Sequence, residues 1–317
     1  MNELKRKELP IVFAVDDNYA PFLAVSVKSI MENASPNFFY RFFVLNTGLN
    51  KENIKKVLSV VEKYSENAKI ECVDVAEMMK KISGKVHLRD YYTNAIFYRV
   101  FIPSLFPNYE KILYLDCDMV FAEDVSKLFD TDLENCVFGA TKDEIVPAIP
   151  DFAAYVEEFL GVDKDKYFNS GLLLFNTKEY KKQSVEQNFI DYMLKYKFEI
   201  APDQDCLNVL CKDNVKYIDP NWNKTPMPEL VSDVKDCKAI HFKMKFRPWR
   251  YDDILCQELF WKYAKDTPYY KSLMEMRNKT TKEDKKNDEI SFAKLVKMAR
   301  EFIDSERNFL RLKTANA

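Results

Sequence analysis

Apolar residues fall in short runs that alternate with helical stripes. PIVFAV (Pro10–Val15) is rich in β-branched residues and predicts a buried strand. The polar stretch DDNY follows, and Pro21 then opens a helical pattern with Leu23, Val27, Ile30, Met31 and Ala34 on one face. YRFFVL (Tyr40–Leu45) predicts the next strand, closed by the turn NTG. Ile54, Val57, Leu58 and Val61 mark a second helix, and KIECVDV a third strand. Strands alternating with helices predict a mostly parallel sheet covered on both faces.

After Val75 the rhythm loosens. Residues 76–105 look helical in parts, and NAIFYRVFIP ends at Pro103. KILYL (111–115), VFGAT (137–141), GLLLFN (171–176) and KAIHF (238–242) predict further strands. DQDCLNVLCKD (203–213) has helical spacing, and a helix at 253–265 closes a core domain over 1–275. From Met276 the composition shifts. RNKTTKEDKKND reads as a solvated, linker-like charge run. Phe292, Leu295, Val296, Ala299, Phe302, Ile303, Phe309 and Leu310 then recur at helical spacing, so 276–317 reads as a charged linker and an amphipathic C-terminal helix. That helix packs on the body or on a second copy, or it attaches to a membrane surface through Lys294, Lys297, Arg300, Arg307 and Arg311.

Composition narrows the classes. The chain has 317 residues, 47% of them hydrophobic, enough for one large domain or two modest ones. A net charge of -2 offers nothing general to a nucleic-acid backbone. The 7 cysteines form no CxxC pair, which disfavours a disulfide framework or a cysteine zinc site and fits a reducing cytoplasm. The N-terminus MNELKRKELP lacks the apolar region of a signal peptide, and no stretch approaches the roughly 20 apolar residues of a membrane span. With 5 glycines there is no GxGxxG and no Walker sequence, so a bound nucleotide needs another phosphate anchor.

In open α/β sheets ligands bind beyond the carboxyl ends of strands. The first predicted strand ends in Ala14, Asp16 and Asn18, the 111–115 strand in Asp116, Cys117 and Asp118, and the late strand in His241. Residues two apart on an extended chain point to one side. Asp116 and Asp118 therefore hold a divalent cation or are exposed acids at a turn. With His241 they make an oxygen-rich set with one borderline ligand, which suits Mn2+ and also admits Mg2+. Lys243, Lys245, Arg247 and Arg250 follow in HFKMKFRPWR and offer positive charge for phosphates.

IVFAVDDNY, IFYRVFIP, KILYLDCDMVF, YFNSGLLLFN, PDQDCLN and HFKMKFRPW together resemble the ordered motifs of glycosyltransferase family 8, over about 11–262. The family includes bacterial lipopolysaccharide galactosyl- and glucosyltransferases and glycogenin. The resemblance implies an α/β GT-A fold and transfer of a hexose from UDP-glucose or UDP-galactose to a saccharide acceptor, with retention. It implies that Ala14, Asp16 and Asn18 contact uridine and ribose, that Arg99 reaches the donor, and that Asp116, Asp118 and His241 bind the metal. Cys117 contributes backbone. Asp143, Asn169, Asp203, Gln204 and Asp205 match the sugar pocket, with Gln204 near the anomeric carbon. The last family motif usually reads H-x-x-G-x-x-K-P-W; here Met244 replaces the glycine and Arg247 the lysine.

Gln204 is a poor nucleophile, which favours front-face internal return; Asp205 is the fallback nucleophile. Tyr91, Tyr92 and Thr93 are candidates for the acceptor side. Three rival readings stand beside this one. A haloacid-dehalogenase-like phosphatase would use Asp116 as nucleophile and Asp118 as general acid. A non-catalytic protein would bind UDP-sugar without turnover, and a glycogenin-like protein would glycosylate itself.

Overall fold

The structure is a computed structural model and describes residues 6–83, 94–231 and 234–315. A seven-stranded mixed sheet has the order β3-β2-β1-β4-β7-β6-β8. Its strands are β1 (Lys7–Ala14), β2 (Phe38–Asn46), β3 (Ala68–Asp74), β4 (Lys111–Leu115), β6 (Phe138–Lys142), β7 (Phe168–Asn176) and β8 (Val215–Tyr217). A separate antiparallel pair joins β5 (Met119–Phe121) to β9 (Ala239–His241).

The central strand β1 is paired in parallel on both edges, with Ile11 opposite Phe42 on β2 and Leu113 on β4. Burial on both faces explains its continuous apolar run. Ile11 and Phe13 join the core that includes helix α1 (Ala20–Glu32), while Val12, Ile112 and Tyr114 join the core on the opposite face. Strand order runs outward from β1 to β3, then reverses through β4. Such a reversal opens a crevice at the carboxyl ends of the two central strands. Strand β7 is antiparallel to β4, so its first residues lie beside the end of β4: Leu172 pairs with Leu115, and the Asp116 N–H donates to the Gly171 carbonyl at 2.8 Å.

The remaining helices used below are α2 (Lys51–Ser59), α3 (Val185–Lys195), α4 (Pro202–Cys211), α5 (Gln257–Ala264), α6 (Tyr270–Lys279), α7 (Lys282–Ile303) and α8 (Phe309–Ala315). The expected linker at 277–288 is instead helical. The Thr281 side chain and the Asp284 carboxylate cap α7 reciprocally, and Lys285 pairs with Asp253 at 2.7 Å. Its apolar stripe packs on the body, with Phe292 edge-on to Phe152 and Phe302 against Phe159. On α8, Phe309 packs against Tyr196 just past α3. Among the described residues no helix is long and apolar enough to cross a membrane.

Candidate active site

The sheet carries the candidate residues to one edge. Ala14 and Asp116 lie at the ends of β1 and β4, and Asp143 follows β6. Asn169, Ser170 and Gly171 open β7, and Asp203, Gln204 and Asp205 stand in the first turn of α4. His241 arrives from 122 residues downstream of Met119 by pairing with it in the β5–β9 ribbon.

Ligand atoms of Asp116, Asp118 and His241 lie within 4.8 Å of one another. Nε2 of His241 is 3.1 Å from Oδ1 of Asp118 and 3.7 Å from Oδ2 of Asp116. The other Asp116 oxygen is occupied: Oδ1 accepts from the Tyr114 hydroxyl at 2.6 Å and from Arg99 at 3.0 Å. Burial opposes the Asp116 charge, but Arg99 and the Tyr114 hydroxyl outweigh it and hold the pKa below its ordinary value.

One fixed backbone donor determines which nitrogen of His241 must carry a proton. The Gly171 N–H donates to Asn169 at 3.0 Å, so that atom is the Asn169 amide oxygen, Oδ1. The same oxygen faces Asn223 at 2.9 Å, which requires the Asn223 NH2 there. The Asn223 oxygen then faces Nδ1 of His241 at 2.9 Å, and Nδ1 carries the proton. Nε2 keeps a bare lone pair, and it is buried without a hydrogen-bond partner. A lone pair 3.1 Å from a carboxylate oxygen is repulsive unless a proton or a metal ion joins them. The trio therefore fits a divalent ion.

Gly171 floors this site. A Cβ there would come within 2.5 Å of the His241 ring and 2.7 Å of Oδ2 of Asp116.

Beside the trio lies a polar network. Asp143 accepts from Asn169 at 2.8 Å, from Lys243 at 3.1 Å, and from the backbone N–H groups of Ile145 and Val146. Burial works against its charge, yet Lys243 and these donors bring the pKa down to about 2. The Gln204 side-chain oxygen accepts from the Ser170 N–H at 2.9 Å and from Asn169 at 3.1 Å. Its amide nitrogen points to Asp143 at 3.4 Å.

Arg99 is buried and ties the two halves together. It donates to the Ser170 carbonyl at 2.7 Å, pairs with Asp116, and lies 3.3 Å from Asp203. Burial disfavours its charge, but Asp116 and its neighbours raise its pKa further. Burial likewise raises Asp203 above its ordinary value despite Arg99. Asp205 is turned into protein: Tyr167, Tyr155 and the Ala201 N–H donate to it at 2.6, 2.9 and 3.1 Å. Burial outweighs these donors and pushes its pKa up to about 7.

The other candidates divide. Asp143, Asn169, Gln204, Asp205, Met244 and Arg247 line one cavity of about 410 Å3. Ala14, Asp16 and Asn18 do not. Asp16 accepts from the Asn18 and Tyr19 N–H groups and shapes the turn into α1. The Cys117 thiol donates to the Ala14 carbonyl at 3.3 Å, and burial pushes its pKa well up, which leaves it unreactive. Met244 adopts φ +58, the left-handed backbone that glycine takes without strain. Lys243 and Arg250 are engaged by Asp143 and Asp288, whereas Arg247 forms no ion pair among the described residues. Tyr91, Tyr92 and Thr93 lie outside the described residues. Asn223, Tyr114, Ser170 and Gly171 had not been singled out from the sequence; only Gly171, a glycine inside a strand, carries a local signal of close approach.

Comparison with known proteins gives the fold and the family. The sheet and its flanking helices form a GT-A fold, shared with galactosyltransferase LgtC, whose structure with donor and acceptor sugar analogs superposes at a TM-score of 0.67 with 26% identity, covering 82% of this chain and 96% of that one. Residues 10–253 match the family described as glycosyl transferase family 8, and the chain belongs to that family. A Haemophilus influenzae protein provisionally described as a glycosyltransferase is 31% identical over 68% of this chain, which spans 63% of that relative's own length. An Escherichia coli lipopolysaccharide 1,2-glucosyltransferase is 26% identical over 77% of this chain and 74% of its own.

Proposed function

We propose that the chain is a metal-dependent retaining glycosyltransferase that moves glucose or galactose from a UDP-sugar to a saccharide acceptor in cell-surface glycan synthesis. The observation that carries this reading is the bare, buried Nε2 of His241 facing Asp116 and Asp118, next to the Asp143–Asn169–Gln204 network. The glucosyltransferase and galactosyltransferase relatives support a hexose donor.

Asp116, Asp118 and His241 would hold Mn2+ or Mg2+. When bound, the ion supplies positive charge to the departing diphosphate. Arg247 adds a guanidinium to the same phosphates, a match for their oxygens. Asp143, Asn169 and Asp203 orient the sugar hydroxyls. Gln204 faces the reacting carbon with an amide oxygen already accepting from the Ser170 N–H. Asp205, buried and with both carboxylate oxygens accepting from Tyr167, Tyr155 and the Ala201 N–H, is a weak nucleophile. Both facts favour internal return: the acceptor oxygen bonds to the anomeric carbon on the face from which UDP leaves, and the leaving phosphate oxygen takes the acceptor proton. A glycosyl adduct trapped on Asp205 would sink that version.

Family membership leaves the phosphatase alternative unsupported, since its Asp116 nucleophile is here bound by Tyr114 and Arg99. The outward basic residues Lys294, Lys297 and Arg300 of α7 are consistent with a cytoplasmic protein at the inner membrane face. The deciding test is UDP release from a panel of UDP-sugars with Mn2+. Turnover of UDP-glucose or UDP-galactose, lost in Asp118→Ala and His241→Ala, is expected. UDP-sugar binding without release from any donor would leave the non-catalytic reading in its place.

A further inference from the structure

Arg247 stands in a stretch, 242–256, that has neither helix nor strand. No ladder of backbone hydrogen bonds holds its guanidinium in place, and the long side chain turns about several bonds. Pro248 biases the Arg247 backbone toward extended conformations. Two further contacts fix it: the N–H groups of Arg250 and Tyr251 both donate to the Arg247 carbonyl, at 2.9 and 3.0 Å.

The side chains of those same two residues end on one carboxylate of α7. Asp288 accepts from the Tyr251 hydroxyl at 2.6 Å and pairs with Arg250 at 3.3 Å. Asp284, one turn earlier, lies 3.8 Å from the second Arg250 nitrogen. On the other flank of Arg247, the Lys245 ammonium lies over the Phe292 ring of α7, 5.4 Å from its centroid. The helix therefore grips the loop on both sides of Arg247. Tyr251 is buried and Asp288 half-buried, so solvent screens this carboxylate less than an open surface charge. Helix α7 lies outside the residues matched by the family, which end at 253.

We propose that Asp288 is a positioning residue for donor binding: by holding Arg250 and Tyr251 it fixes the Arg247 backbone and aims the guanidinium at the diphosphate. This rests on the glycosyltransferase reading, in which Arg247 meets those phosphates, and it gives the C-terminal helix a part in the donor site.

Calorimetric titration of the full chain, loaded with Mn2+, with UDP tests this. Loss of a hydrogen bond to a charged group shifts an equilibrium by about tenfold. Asp288→Ala is expected to weaken UDP binding by that order and to leave Mn2+ binding without UDP unchanged. Asp288→Asn, of the same shape, keeps an acceptor for Tyr251 but not the charge facing Arg250; it should lose a smaller part, and it carries the test if the alanine variant does not fold. Because Asp288 acts through Arg247, either substitution made on top of Arg247→Ala should cost UDP nothing further. A general loosening of the fold would instead weaken UDP in both backgrounds. Wild-type UDP affinity in both Asp288 variants, with Arg247→Ala weakened, overturns the proposal and leaves the donor reading standing. An equal loss in the Arg247→Ala background does the same. If Arg247→Ala binds UDP like the wild type, or if UDP binding does not depend on Mn2+, the donor reading fails and the proposal falls with it.

Discussion

Nδ1 of His241 lies 2.9 Å from Oδ1 of Asn223, and that contact selects which imidazole nitrogen is free. The selection originates in the Gly171 N–H and passes through Asn169. Partners of this kind typically change metal affinity by about 10–100-fold when removed. Asn223→Ala should weaken Mn2+ binding by that order, measured as free Mn2+ by electron paramagnetic resonance. It should also shift the metal-free His241 ring away from the Nδ1–H tautomer. Nitrogen-15 spectra can read this directly, because His87 is the only other histidine. An unchanged tautomer and unchanged affinity would remove Asn223 from the site.

Gly171→Ala should damage the same site from below. The added methyl would meet the His241 ring at 2.5 Å and Asp116 at 2.7 Å, so one of them must move. Overpacking of this kind costs about 1–3 kcal/mol. The expected result is a folded protein with lowered urea stability and Mn2+ binding reduced more than tenfold. Wild-type metal affinity would contradict the close packing.

Part of this is legible in the sequence alone. The apolar runs ending in Ala14 and Leu115 marked the two central strands, because a strand buried on both faces must be continuously apolar. The spacing of Asp116 and Asp118, with His241 at another strand end, pointed to the trio. Asn223 was not legible: a single amide in a loop has no periodicity, and its partners lie 18 and 54 residues away. The short strands β5 and β8, of 3 residues each, carry too little pattern to separate from loop. The charge run at 277–288 has the composition of a solvated linker, and composition alone does not distinguish that from an exposed helix face. Thr281 followed by Asp284 is the helix-start signal within it.

Asp205 and Asp143 should pull stability in opposite directions with pH. Burial raises Asp205 to about 7 in the folded protein, well above the carboxylate range of the unfolded chain. The folded state therefore binds more protons between about pH 4 and 7, and the Asp205 contribution is lost as pH rises through that window, at no more than about 1.4 kcal/mol per pH unit. Asp143 behaves conversely: with a folded pKa of about 2 its contribution is present above about pH 4 and lost as pH falls toward 2. Thermal melts from pH 5 to 8 should show a declining midpoint in the wild type and a flatter profile in Asp205→Asn. Identical slopes would show that Asp205 ionises in the folded protein as it does in the unfolded chain.

Met244 stores strain in the loop that carries Arg247. Its φ of +58 places a side chain in left-handed backbone, which costs roughly 1–2 kcal/mol for a residue with a Cβ. The loop thus keeps the conformation that suits the family's usual glycine while carrying a methionine into the cavity wall. Two variants separate these roles. Met244→Ala removes the long side chain but keeps the backbone strain; Met244→Gly removes both. Glycine ordinarily loses to alanine through unfolded-state entropy, so a more stable Gly variant would isolate the φ effect. Urea melts should place Met244→Gly about 1 kcal/mol above Met244→Ala. If alanine is equal or better, the strained turn is not a feature of the folded loop. If KM for the donor changes alike in both variants, the methionine side chain rather than its backbone governs access to the cavity.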